Sequence, residues 1–255
     1  MRYFIRLSYD GSAFCGWQIQ ENAISVQGVL QNAFSVLLKK PVNITGCGRT
    51  DTGVNAVNYI AHFDTLELLH QTNLLYKINA ILPKEIVVHS VFLVPDNAHA
   101  RFDACARTYK YYLHTIKDPF ANRYSLNWPY RELDFEKMNR AAQMFIGERD
   151  FSSLEKVNGG NKSSVCNVTE AYWKREREGH YVFTVTANRF LRNMVRAMVG
   201  SLLEVGSGKR EPQWIEEMLQ SRNRCKAGAS VPGNALFLYR IQYNNIEIVR
   251  SEERR

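Results

Sequence analysis

Gly46-Cys47-Gly48-Arg49-Thr50-Asp51-Thr52-Gly53 stands between two runs rich in β-branched and aromatic residues, Val42 to Thr45 before it and Ala56 to Phe63 after it. That arrangement predicts a strand over 42–47, a loop, and a strand over 56–63. Three glycines in the eight residues of the loop let the backbone take positive φ and come close to another molecule. An acid, a hydroxyl and a base are thereby presented at the tip of two strands, where chemistry is often placed. Asp beside Gly also commonly caps a turn, and the loop alone is compatible with either use of Asp51.

Outward from the loop the chain is symmetric. Upstream, Ser25 is a helix N-cap, and Val26, Val29, Leu30, Ala33, Phe34, Leu37 and Leu38 keep helical spacing until Pro41. Downstream, Leu66 to Asn79 is a second predicted helix, stopped near Pro83. Beyond the helices lie strands over Tyr3 to Asp10 and Ile86 to Leu93. The order is β-α-β-β-α-β, the ferredoxin-like unit.

The second half repeats the order in pattern rather than in letters. Ala106 to Thr115 reads as a strand, and Phe135, Met138, Ala142 and Phe145 mark a helix after Asp134. Asn158 to Ser164 reads as an inserted mobile loop. Val168 to Arg175 and Tyr181 to Thr186 form a hairpin around Glu178-Gly179, followed by helices over Phe190 to Glu204 and Trp214 to Leu219 and a strand over Leu236 to Tyr243. The expected fold class is α+β: two ferredoxin-like halves, 1–105 and 106–255, sharing a continuous, mainly antiparallel sheet. Helices pack behind it, and a basic cleft lies where the halves meet.

Composition narrows the function. The 255 residues carry a formal net charge of +8, which suits a polyanionic partner without requiring one. No apolar run reaches the roughly 20 residues that span a bilayer, and the N-terminus has no signal-peptide core. The five cysteines are scattered and never paired as C-x-x-C, so neither zinc nor a disulfide framework is expected and a reducing cytoplasm is the compartment. Phosphate-loop, G-x-G-x-x-G, G-x-S-x-G and H-E-x-x-H patterns are all absent.

Two further stretches bear on chemistry. In Ala98 to Tyr112, Arg101 and Arg107 alternate with small residues and run into Tyr109, Tyr111 and Tyr112. Arginine and tyrosine together hold phosphates and stack on bases, although an ordinary amphipathic strand would read the same way. In Asn188 to Gly200, helical spacing would bring Arg189, Arg192 and Arg196 within about 60° of one another, opposite an apolar face. That is either a solvated helix face or, because no acid alternates with the arginines, a seat for a fixed anion.

Taken together these stretches resemble the tRNA pseudouridine synthase A family. Gly48-Arg49-Thr50-Asp51-Thr52-Gly53-Val54-Asn55-Ala56 is similar to its G-R-T-D-x-G-V-H-A signature, with Asn55 where His is usual. Ala100 to Ala104 with Arg107 and Tyr109 resembles a second block, and Phe190 to Arg196 through Gly200 a third. Tyr9-Asp10-Gly11, Gly16-Trp17-Gln18 and Asp150-Phe151-Ser152 also agree, so the similarity runs from about residue 3 to 243. Ala229 to Leu236 is a loose version of the C-terminal A-P-A-x-G-L element.

The resemblance implies a homodimer that converts uridine to pseudouridine at positions 38, 39 and 40 of the tRNA anticodon stem-loop, with no cofactor and no membrane. It implies Asp51 as nucleophile, Tyr109 as the active-site tyrosine, Arg196 as the partner of the aspartate, and Arg49 as the residue assisting base extrusion. Arg101, Arg107 and Arg192 join Arg49 and Tyr109 as expected substrate contacts. The rival reading is a non-catalytic RNA-binding module on the same sheet. It gives no reason for an acid in a glycine-rich loop and lacks the expected aromatic RNP motif.

Overall fold

The computed structural model describes residues 1–69, 71–130, 132–156 and 163–244. In chain order the elements are β1 (Arg2–Tyr9), α1 (Val26–Leu38), β2 (Thr45–Gly46), β3 (Asn55–Asp64), α2 (Gln71–Ile81), β4 (Ile86–Val94), β5 (Ala104–His114), β6 (Leu126–Asn127), α3 (Phe135–Gln143), β7 (Gly147–Asp150), β8 (Val165–Arg177), β9 (His180–Ala187), α4 (Met194–Gly206), α5 (Trp214–Gln220) and β10 (Leu236–Tyr243). The fold is α+β. One sheet holds the described strands in the order β4-β1-β3-β10-β5-β9-β8-β7, with β2 added to β3 and β6 to β5.

Neighbouring strands run antiparallel except at two places. β10 pairs β3 in parallel through Phe237↔Asn55 and Leu238↔Ala56, and β6 pairs β5 in parallel. On its other edge β10 pairs β5 antiparallel, from Leu236↔Tyr111 to Tyr243↔Ala104. The β-α-β-β-α-β run of the first part places β4, β1, β3 and β2 in succession, and that of the second places β10, β5, β9 and β8 likewise, with β7 outside β8. The seam between the two runs is therefore the contact of β3 with β10.

Helix boundaries follow local chemistry. Ser25 accepts from the Gly28 amide at 3.2 Å and starts α1, and Asp134 does the same for α3 through Lys137 at 2.8 Å. Lys39, at φ 54°, ends α1 in the left-handed conformation ahead of Pro41. Two apolar cores result. One gathers Phe4, Leu7, Leu30, Phe34, Phe63 and Val91; the other gathers Met138, Phe145, Trp173, Phe183, Met198 and Leu202. Tyr109 packs against both.

Three expected elements are shorter than the sequence pattern. The strand over 42–47 reduces to Thr45–Gly46 because α1 takes its backbone. Val42 donates to Ser35 Oγ at 2.9 Å, Ile44 to Gln31 Oε1 at 2.9 Å, and Gln27 donates to the Ile44 carbonyl at 2.7 Å. The helix over 66–79 begins at Gln71, since Thr65 Oγ1 and the Tyr3 hydroxyl capture the amides of Glu67 and Leu69. The helix over 190–204 begins at Met194, because Asn193 stands at φ 69° and cannot continue a right-handed helix backward. Most of the loop expected over 158–164 lies outside the described residues.

Candidate active site

The loop between β2 and β3 is held by its backbone. Cys47 donates to the Ile60 carbonyl at 2.9 Å, Trp17 to the Thr50 carbonyl at 3.2 Å, and Val54 to the Asp51 carbonyl at 3.1 Å. Tyr9 shares a hydrogen bond with Thr50 Oγ1 at 2.9 Å, and the Tyr59 hydroxyl donates to the Gly48 carbonyl. Trp17 stacks on Tyr59 with centroids 4.1 Å apart. Gly16, at φ 85°, lies so close that a Cβ would collide with the Thr50 carbonyl, which explains the glycine there. The sequence pointed to Tyr9 and Gly16-Trp17 only as points of resemblance, and to Tyr59 only as part of a strand. Their role as a cradle for the loop depends on contacts between residues 11 to 42 positions apart, which no local pattern announces.

Asn55 is buried at the seam. Its Oδ1 accepts from the Gly11 amide at 2.8 Å, and its Nδ2 donates to the Asn234 carbonyl at 2.7 Å. It thus ties the turn after β1 to the segment before β10, and both of its functional groups are used.

Asp51 is the meeting point of the site. Its Oδ2 lies 3.6 Å from Arg196 Nη1 and its Oδ1 3.6 Å from Arg192 Nε. Arg196 is the more enclosed, its side chain 23% exposed against 52% for Arg192, and its Nε donates to the Val231 carbonyl at 2.6 Å. The expected stripe of Arg189, Arg192 and Arg196 on one helix is not formed. Only Arg196 lies on α4, and the left-handed Asn193 turns the chain between it and Arg192. Arg192 therefore faces the second oxygen of the carboxylate.

Tyr109 sits on β5 between Leu238 of β10 and Val185 of β9, its ring edge-on to Phe190 with centroids 5.0 Å apart. Burial pushes its hydroxyl above the usual phenol range, and Cys47 and the Asp51 carboxylate push it the same way, while Arg107 opposes them. The phenol is thus kept protonated and able to donate. Burial likewise pushes the Cys47 thiol up to about 11, which leaves it neutral and unreactive at neutral pH.

The remaining arginines separate. Arg49 is exposed on the loop next to Asp51. Arg101 is exposed, its guanidinium 5.7 Å from the centroid of Phe102, whose ring lies against His99 at 4.2 Å. Arg107, expected as a substrate contact, has its terminal donors on backbone carbonyls. Its Nη1 donates to the carbonyls of Ala104 at 2.8 Å and Asn188 at 2.7 Å, and its Nη2 to those of Arg101 at 2.7 Å and Cys47 at 3.2 Å. Each terminal N–H of the guanidinium has a backbone acceptor, so a phosphate would have to displace one. Among the described residues no group of three or more His, Cys, Asp or Glu could hold a metal ion.

Known proteins resemble this chain along almost its whole length. A family model described as tRNA pseudouridine synthase matches residues 141–244. The tRNA pseudouridine synthase A of Bacteroides fragilis is 48% identical over 243 residues, covering 95% of this chain and 96% of its own length. That of Bacteroides thetaiotaomicron is 48% identical over 254 residues, 99% and 93% of the two chains, and that of Coxiella burnetii 38% over 244 residues, 95% and 93%. A sheet of this order, with similarity of this extent, defines a pseudouridine synthase, an isomerase. The chain belongs to the tRNA pseudouridine synthase A family.

Proposed function

We propose that this protein isomerises uridine to pseudouridine in tRNA, at positions 38, 39 and 40 of the anticodon stem-loop, with Asp51 as the reacting carboxylate. The observation that carries the reading is the pairing of both Asp51 oxygens with arginines at 3.6 Å, beside a tyrosine kept protonated by burial. The tRNA substrate rests on the names of the relatives.

In the reaction the N1–C1′ bond breaks, the uracil turns, C5 joins C1′, and the proton on C5 is given up while N1 gains one. No oxidant or energy source enters the balance. A carboxylate serves by adding covalently or by stabilising a glycal or cation intermediate, and it must be ionised to do either. Arg196 and Arg192, each 3.6 Å from a different oxygen of Asp51, supply positive charge facing it. Tyr109 offers a ring for the uracil and a hydroxyl for the step at C5. The target base leaves its stem at a cost of a few kcal/mol. Arg49, exposed two residues before Asp51, would assist extrusion, and the exposed Arg101 would meet the RNA backbone.

The same reading divides the chain into a half over 1–105 that brings Asp51 and a half over 106–255 that brings Tyr109 and the arginines. It also makes the protein a cytoplasmic homodimer. Among the described residues no helix is long and apolar enough to cross a membrane. The test is incubation of the purified protein with unmodified tRNA and no additives, followed by nucleoside analysis. Pseudouridine at the three positions is expected, and Asp51→Asn should abolish it while tRNA affinity stays within about threefold, one carboxylate contributing little among many phosphate contacts. Turnover near the parental rate in Asp51→Asn would overturn the role of Asp51.

A further inference from the structure

In the partly buried Arg107, both terminal nitrogens of the guanidinium donate to backbone carbonyls. Its four carbonyl acceptors come from three separate stretches of chain. Arg101 and Ala104 belong to the connection into β5. Cys47 begins the loop that carries Asp51. Asn188 begins the stretch that carries Arg192 and leads into α4 with Arg196. Loop and arginine stretch thus meet on the two ends of a single planar group.

We propose that Arg107 is a positioning residue for the isomerisation. By holding the carbonyls of Cys47 and Asn188 on one rigid fork, it sets the distance between Asp51 and the two arginines that face it. The inference rests on the reading of Asp51 as the reacting carboxylate. A guanidinium suits the task because its donors lie in one plane at fixed angles, whereas the three donors of an ammonium radiate from a point. The exchange also accounts for a cation beneath the site that is spent on carbonyls rather than on RNA. Its charge acts within the site as well, opposing the effect of burial on Tyr109 and Cys47.

The experiment compares Arg107→Lys and Arg107→Met with the parent in single-turnover rate at saturating tRNA and in tRNA affinity over a series of salt concentrations. A displacement of about 1 Å between reacting groups costs roughly 100-fold in rate, so Arg107→Met should lose on that order. Arg107→Lys should lose at least about tenfold for the same reason, although it keeps the charge. Affinity should stay within about threefold in both, and the dependence of log affinity on log salt should keep its slope, no phosphate contact having been removed. Each variant should also be non-additive with Arg196→Met, since both would act on the same spacing.

A fall in affinity with a salt slope reduced by about one would make Arg107 a phosphate contact and overturn the proposal, as would an unchanged saturating rate. Full activity in Arg107→Lys would show that charge alone suffices and would also overturn it. If neither variant folds, judged by thermal unfolding and tRNA binding, Arg107 is a clamp of the whole fold and the proposal falls. Asp51→Asn, measured beside them, separates the two levels. If it stays active, the reading of the site fails, whereas if it is inactive and the Arg107 variants are normal, only this inference fails.

Discussion

At 3.6 Å a guanidinium nitrogen and a carboxylate oxygen attract as charges without a short hydrogen bond, so the two arginines facing Asp51 differ chiefly in how well each is fixed and screened. Arg196 is anchored at Nε by the Val231 carbonyl and is the less exposed of the two; Arg192 stands half in solvent. Arg196→Met is therefore expected to lower the single-turnover rate by about 10²- to 10³-fold, a magnitude typical of removing one preorganised charge partner. Arg192→Met should lose about tenfold, because exposed pairs are screened. The reverse order in parallel rate measurements would reassign the dominant partner. The facing of Asp51 and Arg196 was legible in the sequence through family resemblance. The contacts of Arg192 and Arg107 were not, because which way an arginine turns depends on a left-handed Asn193 and on carbonyls more than 50 residues away. A second residue-scale consequence concerns His62. Its Nδ1 accepts from the Ala100 amide at 3.2 Å, which requires the neutral ring. Burial, with smaller contributions from Arg2 and His99, pushes it down from 6.5 to about 4, against the opposing pull of Asp64 and Asp103. A depressed histidine contributes stability that is present above pH 6.5 and is lost as pH falls through about 4. Urea titrations at pH 7 and pH 4 should accordingly differ less in His62→Asn than in the parent, and an unchanged difference would count against this account.

Among the elements, α4 makes the closest backbone approach that bears on the site. A Cβ on Gly200 would collide with the Ala229 carbonyl, and the same segment returns its Val231 amide to the Arg196 carbonyl at 3.3 Å. Gly200→Ala must push this segment away, at a cost of about 2–3 kcal/mol for overpacking. Calorimetry should show Tm lower by roughly 5–10 °C, and the rate should fall with it because the anchor of Arg196 moves. An unaltered Tm would mean that the segment yields freely. The long elements were legible because they bury one face with a regular period: β1, β3, β5, β9 and α1 stand within a residue or two of their patterns. The short ones were not. Residues 42–44 look like a strand, yet their backbone is satisfied by Ser35, Gln31 and Gln27 of α1, and a propensity cannot report which partner wins. β7, Gly-Glu-Arg-Asp at the sheet edge, has no apolar alternation to announce it.

For the whole molecule, a net charge of +8 together with exposed Arg49 and Arg101 predicts RNA binding dominated by released counterions. A plot of log affinity against log salt should be steeper than about −3 if several phosphates are contacted; a flat titration would argue against an extended RNA surface. The duplicated order of strands was visible in the pattern of the chain, but the way the two runs join was not, since it depends on two residue pairs between β3 and β10. That junction bears on how the enzyme is made. β10 is the latest of the described strands to be synthesised, yet it is inserted between β3 and β5 in the middle of the sheet. While the ribosome is still extending the chain, β3 and β5 each wait with an open edge, and the acid of one side is not yet mated to the bases of the other. Only when residues 236–243 have left the exit tunnel can the seam between β3 and β5 close, however much of the chain has already folded.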